Sequence, residues 1–344
     1  MDKKSLLKET IEHIDIRSFD ARPIIEAYGR MAFQARNLHN ASAIFNRMLK
    51  DDPCSIILTL AGSLFSAGLK NVVADMIRQN MVDVIVSTGA IIVDQDFFEG
   101  MGYHHYLGDS TADDDRLREL HIDRIYDTYI NEDELRRCDL TVAKIADSLP
   151  KRSYSSREFI KEMGAYLEKH YAKVNSVILE AFRYDVPIFV PAFSDSSAGL
   201  GLIFHQQQNP NRHVAIDSVR DFKELTEIKI ASQDTGLFIV GGGVPKNFAQ
   251  DVVVAADVLG NERPMHKYAI QITVADERDG GLSGSTLKEA CSWGKIDKRF
   301  EQIVWSEATL ILPLIISDAY HKGNWKGRSR KRYQRLFHYK EGNG

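Results

Sequence analysis

The chain is poor in cysteine. Its 344 residues hold three, Cys54, Cys138 and Cys291, and no two form a CxxC pair. That spacing excludes a disulfide framework and a cysteine-built zinc site, and it fits a reducing cytoplasm. Long apolar runs are missing too. No stretch reaches the roughly 18 apolar residues in a row that a membrane-spanning helix needs. The opening MDKKSLLKETIEHIDIRSFD alternates charge with apolar residues and has no signal-peptide h-region. Neither sign of charge dominates: the net charge of −4 gives no general reason to expect nucleic acid as a partner. Proline-rich linkers, low-complexity tracts and internal repeats are also absent. His104-His105 and His121 match neither HExxH nor a zinc-finger spacing, so no metal site is expected.

What is present is an alternating theme. A short apolar run leads into a turn of small residues and then a helical pattern. Ile56–Leu60 leads into Ala61-Gly62-Ser63, then a helical stretch to about Gln79. Val82–Val86 leads into Ser87-Thr88-Gly89, and Pro187–Phe193 into Ser194-Asp195-Ser196-Ser197. Leu237–Val240 leads into Gly241-Gly242-Gly243 and a helical run to about Leu259; Tyr268–Val274 leads into an acidic, glycine-rich loop. Continuous apolar strands alternating with helices predict an α/β fold with a mostly parallel sheet covered on both faces. Ligands of such sheets bind beyond the carboxyl ends of the strands, where these polar turns fall. Residues 1–50 read as a helical extension, 51–320 as the sheet-bearing domain and 321–344 as a basic tail. Ser155 followed by Glu158 is a capping box opening a helix to about Lys173.

Several segments carry candidate chemistry. In Gly241-Gly242-Gly243-Val244-Pro245-Lys246, glycines at a helix start let backbone N–H groups approach an anion. The turn is neither GxGxxG nor a P-loop, and a plain strand-to-helix turn has the same composition. Ser63, Thr88 and Gly89 offer small polar groups to a cofactor or to a helix cap. Asp195 suits ribose hydroxyls or a cap. Asp276, Glu277, Asp279 and Glu289 suit a cationic substrate or a solvated loop. The segment Lys322–Arg335, with Trp325 and Tyr333 interleaved, suits a polyanion such as RNA or a solvated tail.

The run Ser292-Trp293-Gly294-Lys295 is the most telling. A lysine attacks carbon only when neutral, and a free one, with a pKa of about 10.4, is almost wholly protonated at neutral pH. Burial beside an indole disfavours the charged form. A glycine C-cap with a lysine near the last carbonyls has the same local sequence.

Taken together, GGGVPK at 241–246, EACSWGKI at 289–296, AGS at 61–63, STG at 87–89 and PAFSD at 191–195 resemble the deoxyhypusine synthase family over residues 20 to about 320. The resemblance implies a doubly wound, Rossmann-like NAD-binding sheet, assembled as a homotetramer with sites at subunit interfaces. It implies that NAD takes a hydride from the carbon beside spermidine's secondary amine. Diaminopropane then leaves, the aminobutyl group passes to a lysine, and an acceptor amine receives it before NADH reduces the new imine. By position, Lys295 matches the imine-forming nucleophile, and Trp293, Glu289 and Asn247 match substrate positions. Ser63, Thr88, Gly89, Asp195, Gly242, Gly243, Ala275 and Glu307 match cofactor positions, and the acid after the STG turn corresponds to Asp94 or Asp96. The chain departs from the eukaryotic pattern where that pattern grips amines. Leu200 and Leu282 stand in place of aspartates and Asn247 in place of a histidine. The segment DRIYDTYINEDEL at 123–135 is closer to prokaryotic members. The resemblance therefore leaves the acceptor as a protein lysine or a free amine such as putrescine, with a non-catalytic NAD-binding scaffold as the reading from another class.

Overall fold

A computed structural model describes residues 2–278 and 285–337. Its centre is a six-stranded sheet: β1 (Cys54–Leu60), β2 (Val84–Ser87), β3 (Ile188–Phe189), β4 (Asp234–Val240), β5 (Tyr268–Thr273) and β6 (Glu301–Trp305). The spatial order is β6-β5-β4-β1-β2-β3, and every neighbouring pair is parallel. The chain thus winds outward from β1 in one direction and, from β4, in the other.

Alternation along the strands divides the core in two. Ile56, Leu58, Leu60, Phe238 and Val240 point into one apolar cluster; Ile57, Leu237 and Ile239 point into the other. Helices Phe33–Lys50, Lys70–Arg78 and Ala308–Lys322 fill the first side, supplying Phe45, Val73 and Ile315 among others. Helices Ser218–Ala231, Gly243–Val258 and Leu287–Ser292 fill the second with Leu225, Ile228, Val252 and Ala290. A sheet covered on both faces explains why β1 is buried along its whole length. The doubly wound α/β expectation holds.

Three features differ from the sequence reading. The helix Phe33–Lys50 is not an appendage: Phe45 packs edge-on against Phe238 of β4 at 5.0 Å. β6 went unread, since only Val304 of its five residues is fully buried and its apolar signal is weak. So did a small antiparallel sheet of Tyr106–Leu107, Ile122–Ile125 and Thr128–Asn131. The capping box is present: Ser155 Oγ accepts from Glu158 N at 3.2 Å and Glu158 Oε2 from Ser155 N at 3.0 Å. It opens the helix Ser156–His170. No helix of the described residues is long and apolar enough to cross a membrane.

The basic segment near the C-terminus does not run free in solvent. Arg328 is buried, pairs with Asp83 at 2.6 Å and donates to the carbonyls of Asn80 (2.6 Å) and Cys54 (2.9 Å). Arg330 donates to Ile77 and Arg78 carbonyls, Lys331 to that of Asp52, and Arg332 and Arg335 to Asp185. Tyr333 bridges Ser55 and Ser232. Backbone carbonyls and carboxylates at the amino edge of the sheet thus take up the donors that a polyanion would need.

Removing one partner of a buried ion pair costs about 3–5 kcal/mol. Arg328→Ala should therefore lower the unfolding free energy by that amount in urea titration. A loss below about 1 kcal/mol would show that the segment does not brace the sheet.

Candidate functional site

Because β1 and β4 are neighbours, the turns that leave them diverge to opposite faces, and a crevice opens between them. A cavity of about 910 Å³ lies there. Its floor is the turn after β1 (Ala61, Gly62, Ser63), the turn after β4 (Gly241, Gly242), the end of β5 through Ala275, and Ser306–Leu310 after β6. The hairpin tip at Tyr126-Asp127 and Ile11 and Leu107 form its other side.

Backbone shape at this floor depends on glycine. Gly62 and Gly241 have φ of +103° and +79°, a region that side chains disfavour. A Cβ on Gly241 would also meet the Ala61 carbonyl at 3.1 Å. The helix Gly243–Val258 begins at this turn, and its N-cap, Gly242, has no side chain to satisfy the first N–H groups. Gln271 of β5 fixes the turn from beneath, donating to Gly241 O at 2.9 Å while accepting from Lys246 Nζ at 3.2 Å. Glu307 lines the cavity but also caps the helix Ala308–Lys322, accepting from Thr309 N at 2.8 Å.

The candidate residues fall into three groups. Ser63, Gly242, Ala275 and Glu307 share the cavity, with Gly243 at its helix start. Thr88, Gly89 and Asp195 lie at the same edge, on the turns after β2 and β3, and do not line it. There Gly89 lets two turns touch: a Cβ would stand 2.7 Å from Ser196 Oγ. The Thr88 hydroxyl is buried without a hydrogen-bond partner. Asp94 accepts from Ser197 N at 2.7 Å, and burial pushes its carboxyl up to about 7, with Asp139 and Asp195 adding repulsion. Asp96 instead spends its oxygens on Ser176 Oγ, Val177 N and Ile178 N. Of the two acids after the STG turn, Asp94 is the one beside Asp195.

The third group surrounds Lys295. Its helix, Leu287–Ser292, opens on a capping box in which Glu289 accepts from Thr286 N at 2.7 Å. It closes on a double backbone lock: Lys295 N donates to Ala290 O and Gly294 N to Cys291 O, both at 3.0 Å, with Gly294 at φ +70°. The helix-end reading of this run is therefore right about the backbone. The side-chain setting differs from the expectation of a lysine buried by an indole. Trp293 is 66% exposed, and Lys295 Nζ lies 5.3 Å from its ring centroid. The nitrogen instead sits 2.5 Å from Asp251 Oδ1. Asn247 is one turn before Asp251 on the helix Gly243–Val258. Leu200 is exposed on the helix Ser197–Gln208. Asp279 and Leu282 lie outside the described residues. Asp276 is held by Arg278 at 2.7 Å. Among the described residues no group of three or more His, Cys, Asp or Glu side chains is placed to hold a metal ion.

Sequence reading missed Asp251, Gln271 and Lys246 as members of these groups. Lys246 and Asn247 were visible in the glycine-turn motif, whereas Asp251 had no motif of its own. Gln271 had a signal only as a polar residue inside an apolar strand.

The fold and these turns define a doubly wound α/β protein with a lysine displayed beside the sheet. The family model of deoxyhypusine synthase matches residues 23–319. The deoxyhypusine synthase-like proteins of Coxiella burnetii and Chlorobaculum tepidum are each 60% identical, over 97% and 98% of this chain and 96% of theirs. A "Probable deoxyhypusine synthase 2" of Methanosarcina mazei is 39% identical over 94% of this chain and 92% of its own. The chain belongs to the deoxyhypusine synthase family. A solved structure described as "a putative deoxyhypusine synthase from Entamoeba histolytica" shares the fold, with a TM-score of 0.62 at 20% identity over 90% of this chain and 97% of that one.

Lys246 is 1% exposed, and burial lowers its pKa to about 8 from 10.5, helped by Lys295 and opposed by Glu289. The unfolded chain holds this proton up to about pH 10.5 and the folded chain releases it near 8, so between these values stability rises with pH. Relative to Lys246→Met, the wild type should gain on the order of 3 kcal/mol between pH 7 and 10.5, measured by urea unfolding. Parallel pH profiles would show that the ammonium is not destabilised by burial.

Proposed function

We propose that the protein is an NAD-dependent transferase that passes an aminobutyl group through an imine on Lys295. The observation that carries this reading is Lys295 itself. It is an amine whose side chain is 15% exposed, on a helix end locked by two backbone bonds, inside a motif that matches the family's nucleophile. A helix cap alone has no need of that side chain.

NAD fits the residues present at the carboxyl edge. The cavity lies in the upper part of the roughly 300–1,000 Å³ range of small-molecule sites. The uncapped helix start at Gly242 and Gly243 suits phosphate, and Ser63, Ala275 and Glu307 stand beside it. The unpartnered Thr88 hydroxyl, Gly89 and the Asp94–Asp195 pair suit ribose and amide groups. When bound, the nicotinamide supplies a hydride acceptor and later a hydride donor. Lys295 supplies the nucleophile, Trp293 an apolar wall for an alkyl chain, and Glu289 a carboxylate near the amines.

The donor in this reading is spermidine or a related polyamine, and the acceptor a protein lysine or a free amine. The free-amine option, a homospermidine-type reaction with putrescine, draws support from Leu200 and Asn247, which offer an ammonium neither the carboxylate nor the imidazole of the eukaryotic pattern. The separation of the three residue groups on one chain supports a homotetramer whose sites are shared between subunits. Reduced, widely spaced cysteines support work in the cytoplasm.

Incubation with NAD and spermidine, then borohydride, should leave an aminobutyl adduct on Lys295 by peptide mass spectrometry. The adduct should need NAD and vanish in Lys295→Arg. Tight NAD binding with no adduct from spermidine, putrescine or related amines would sink the transferase reading in favour of a non-catalytic NAD-binding protein.

A further inference from the structure

Asp251 meets the reactive nitrogen, and no motif points to it. Its Oδ1 stands 2.5 Å from Lys295 Nζ, yet receives no well-directed hydrogen bond, so the two groups meet as charges. The pair is braced from below by His266. The His266 backbone N–H donates to Lys295 O at 2.9 Å, and its ring Nε2 donates to Ala249 O at 3.1 Å, two residues from Asp251. The ring's hydrogen is placed by a chain of donors. Lys229 Nζ donates to Thr235 Oγ1 at 2.7 Å, and that hydroxyl donates to His266 Nδ1 at 2.8 Å, leaving Nε2 to carry the hydrogen. His266 thus ties the lysine's loop, held by its backbone N–H, to the aspartate's helix, held by its imidazole, which desolvation keeps neutral.

Imine chemistry puts a positive charge on Nζ twice. When neutral Nζ adds to an iminium carbon, a new C–N bond forms. The bond to the departing amine breaks with its electron pair, and one proton passes from Nζ to that amine. The charge of +1 is conserved and comes to rest on Nζ. We infer that Asp251 is the counter-ion of Nζ in both charged states, pairing first with the ammonium of the free enzyme and then with the iminium. This rests on the reading of Lys295 as the imine former and names the group that holds the imine's proton.

Other charges nearby do not replace it. Lys246 is the second cation that senses Lys295, and Glu289 offsets it. Asp297 is taken by Arg299 at 2.5 Å. Among the described residues, Asp251 is the one carboxylate paired with Lys295. A carboxylate at this distance stabilises a positive charge on Nζ.

The test uses the intact protein, butanal as a simple aldehyde, and cyanoborohydride, which reduces the protonated imine. Butylation of Lys295 is followed by peptide mass spectrometry across pH, with exposed Lys4 as an internal reference. In Asp251→Asn the pH above which the adduct is lost should fall by about one unit, a tenfold weaker hold on the proton. Asp251→Glu should restore the wild-type midpoint, and Lys295→Arg should give no adduct at this site. Thermal melting monitors folding, and Asp251→Ser carries the same expectation if the Asn variant does not fold. Identical midpoints with and without the carboxylate overturn the inference, as does a wild type in which Lys295 never reacts. The assay contains neither NAD nor polyamine. A normal spermidine adduct alongside unshifted midpoints therefore removes only the role of Asp251.

Discussion

The parallel pairing of β1 with β4, seven residue pairs from Cys54↔Asp234 to Leu60↔Val240, is the constraint on which the site depends. Both strands are buried on both faces, so nothing polar can project from their middles without cost. Polar work is confined to the turns beyond Leu60 and Val240. Their register places Ala61 against Gly241, which is why a side chain at 241 would strike the neighbouring turn. The cavity follows from two strands ending level and their chains departing to opposite sides.

The elements read best from the sequence were those with dense apolar runs: β1, β4 and β5 all fell close to their expected limits. The turns after β1, β2, β3 and β4 were legible because small residues collect there. β6 was not, since an edge strand with one fully buried side chain lacks the signal of a central one. The site was legible as motifs and illegible as geometry. Trp293 next to Lys295 in sequence suggested an apolar cover, but helix closure at Gly294 leaves the indole exposed. Asp251, 44 positions away, carries no local mark of its role. Pairings made across a helix face and a loop are invisible until the fold exists.

Two lysines sit beneath the site without a carboxylate in hydrogen-bond contact among the described residues. Lys229 and Lys246 are each almost fully buried, bonded to Thr235 and to Gln271 and Ser285 respectively, and each is lowered to about 8. Burying unpaired cations costs stability. Here they orient neutral neighbours instead: Lys229 sets the hydrogen of His266, and Lys246 sets the amide of Gln271 under the glycine turn. The cost is concentrated under the parts whose position matters most.

The docking of Arg328 and Tyr333 has a consequence for biogenesis. Arg328 meets the carbonyl of Cys54 across 274 positions, and Tyr333 joins Ser55 across 278. The first strand of the sheet therefore waits for partners made more than 270 positions later. Such distant closures slow folding and leave β1, which is buried along its whole length in the fold, incompletely covered on the ribosome. A nascent chain of this design calls for shelter from aggregation until residues 328–337 have emerged.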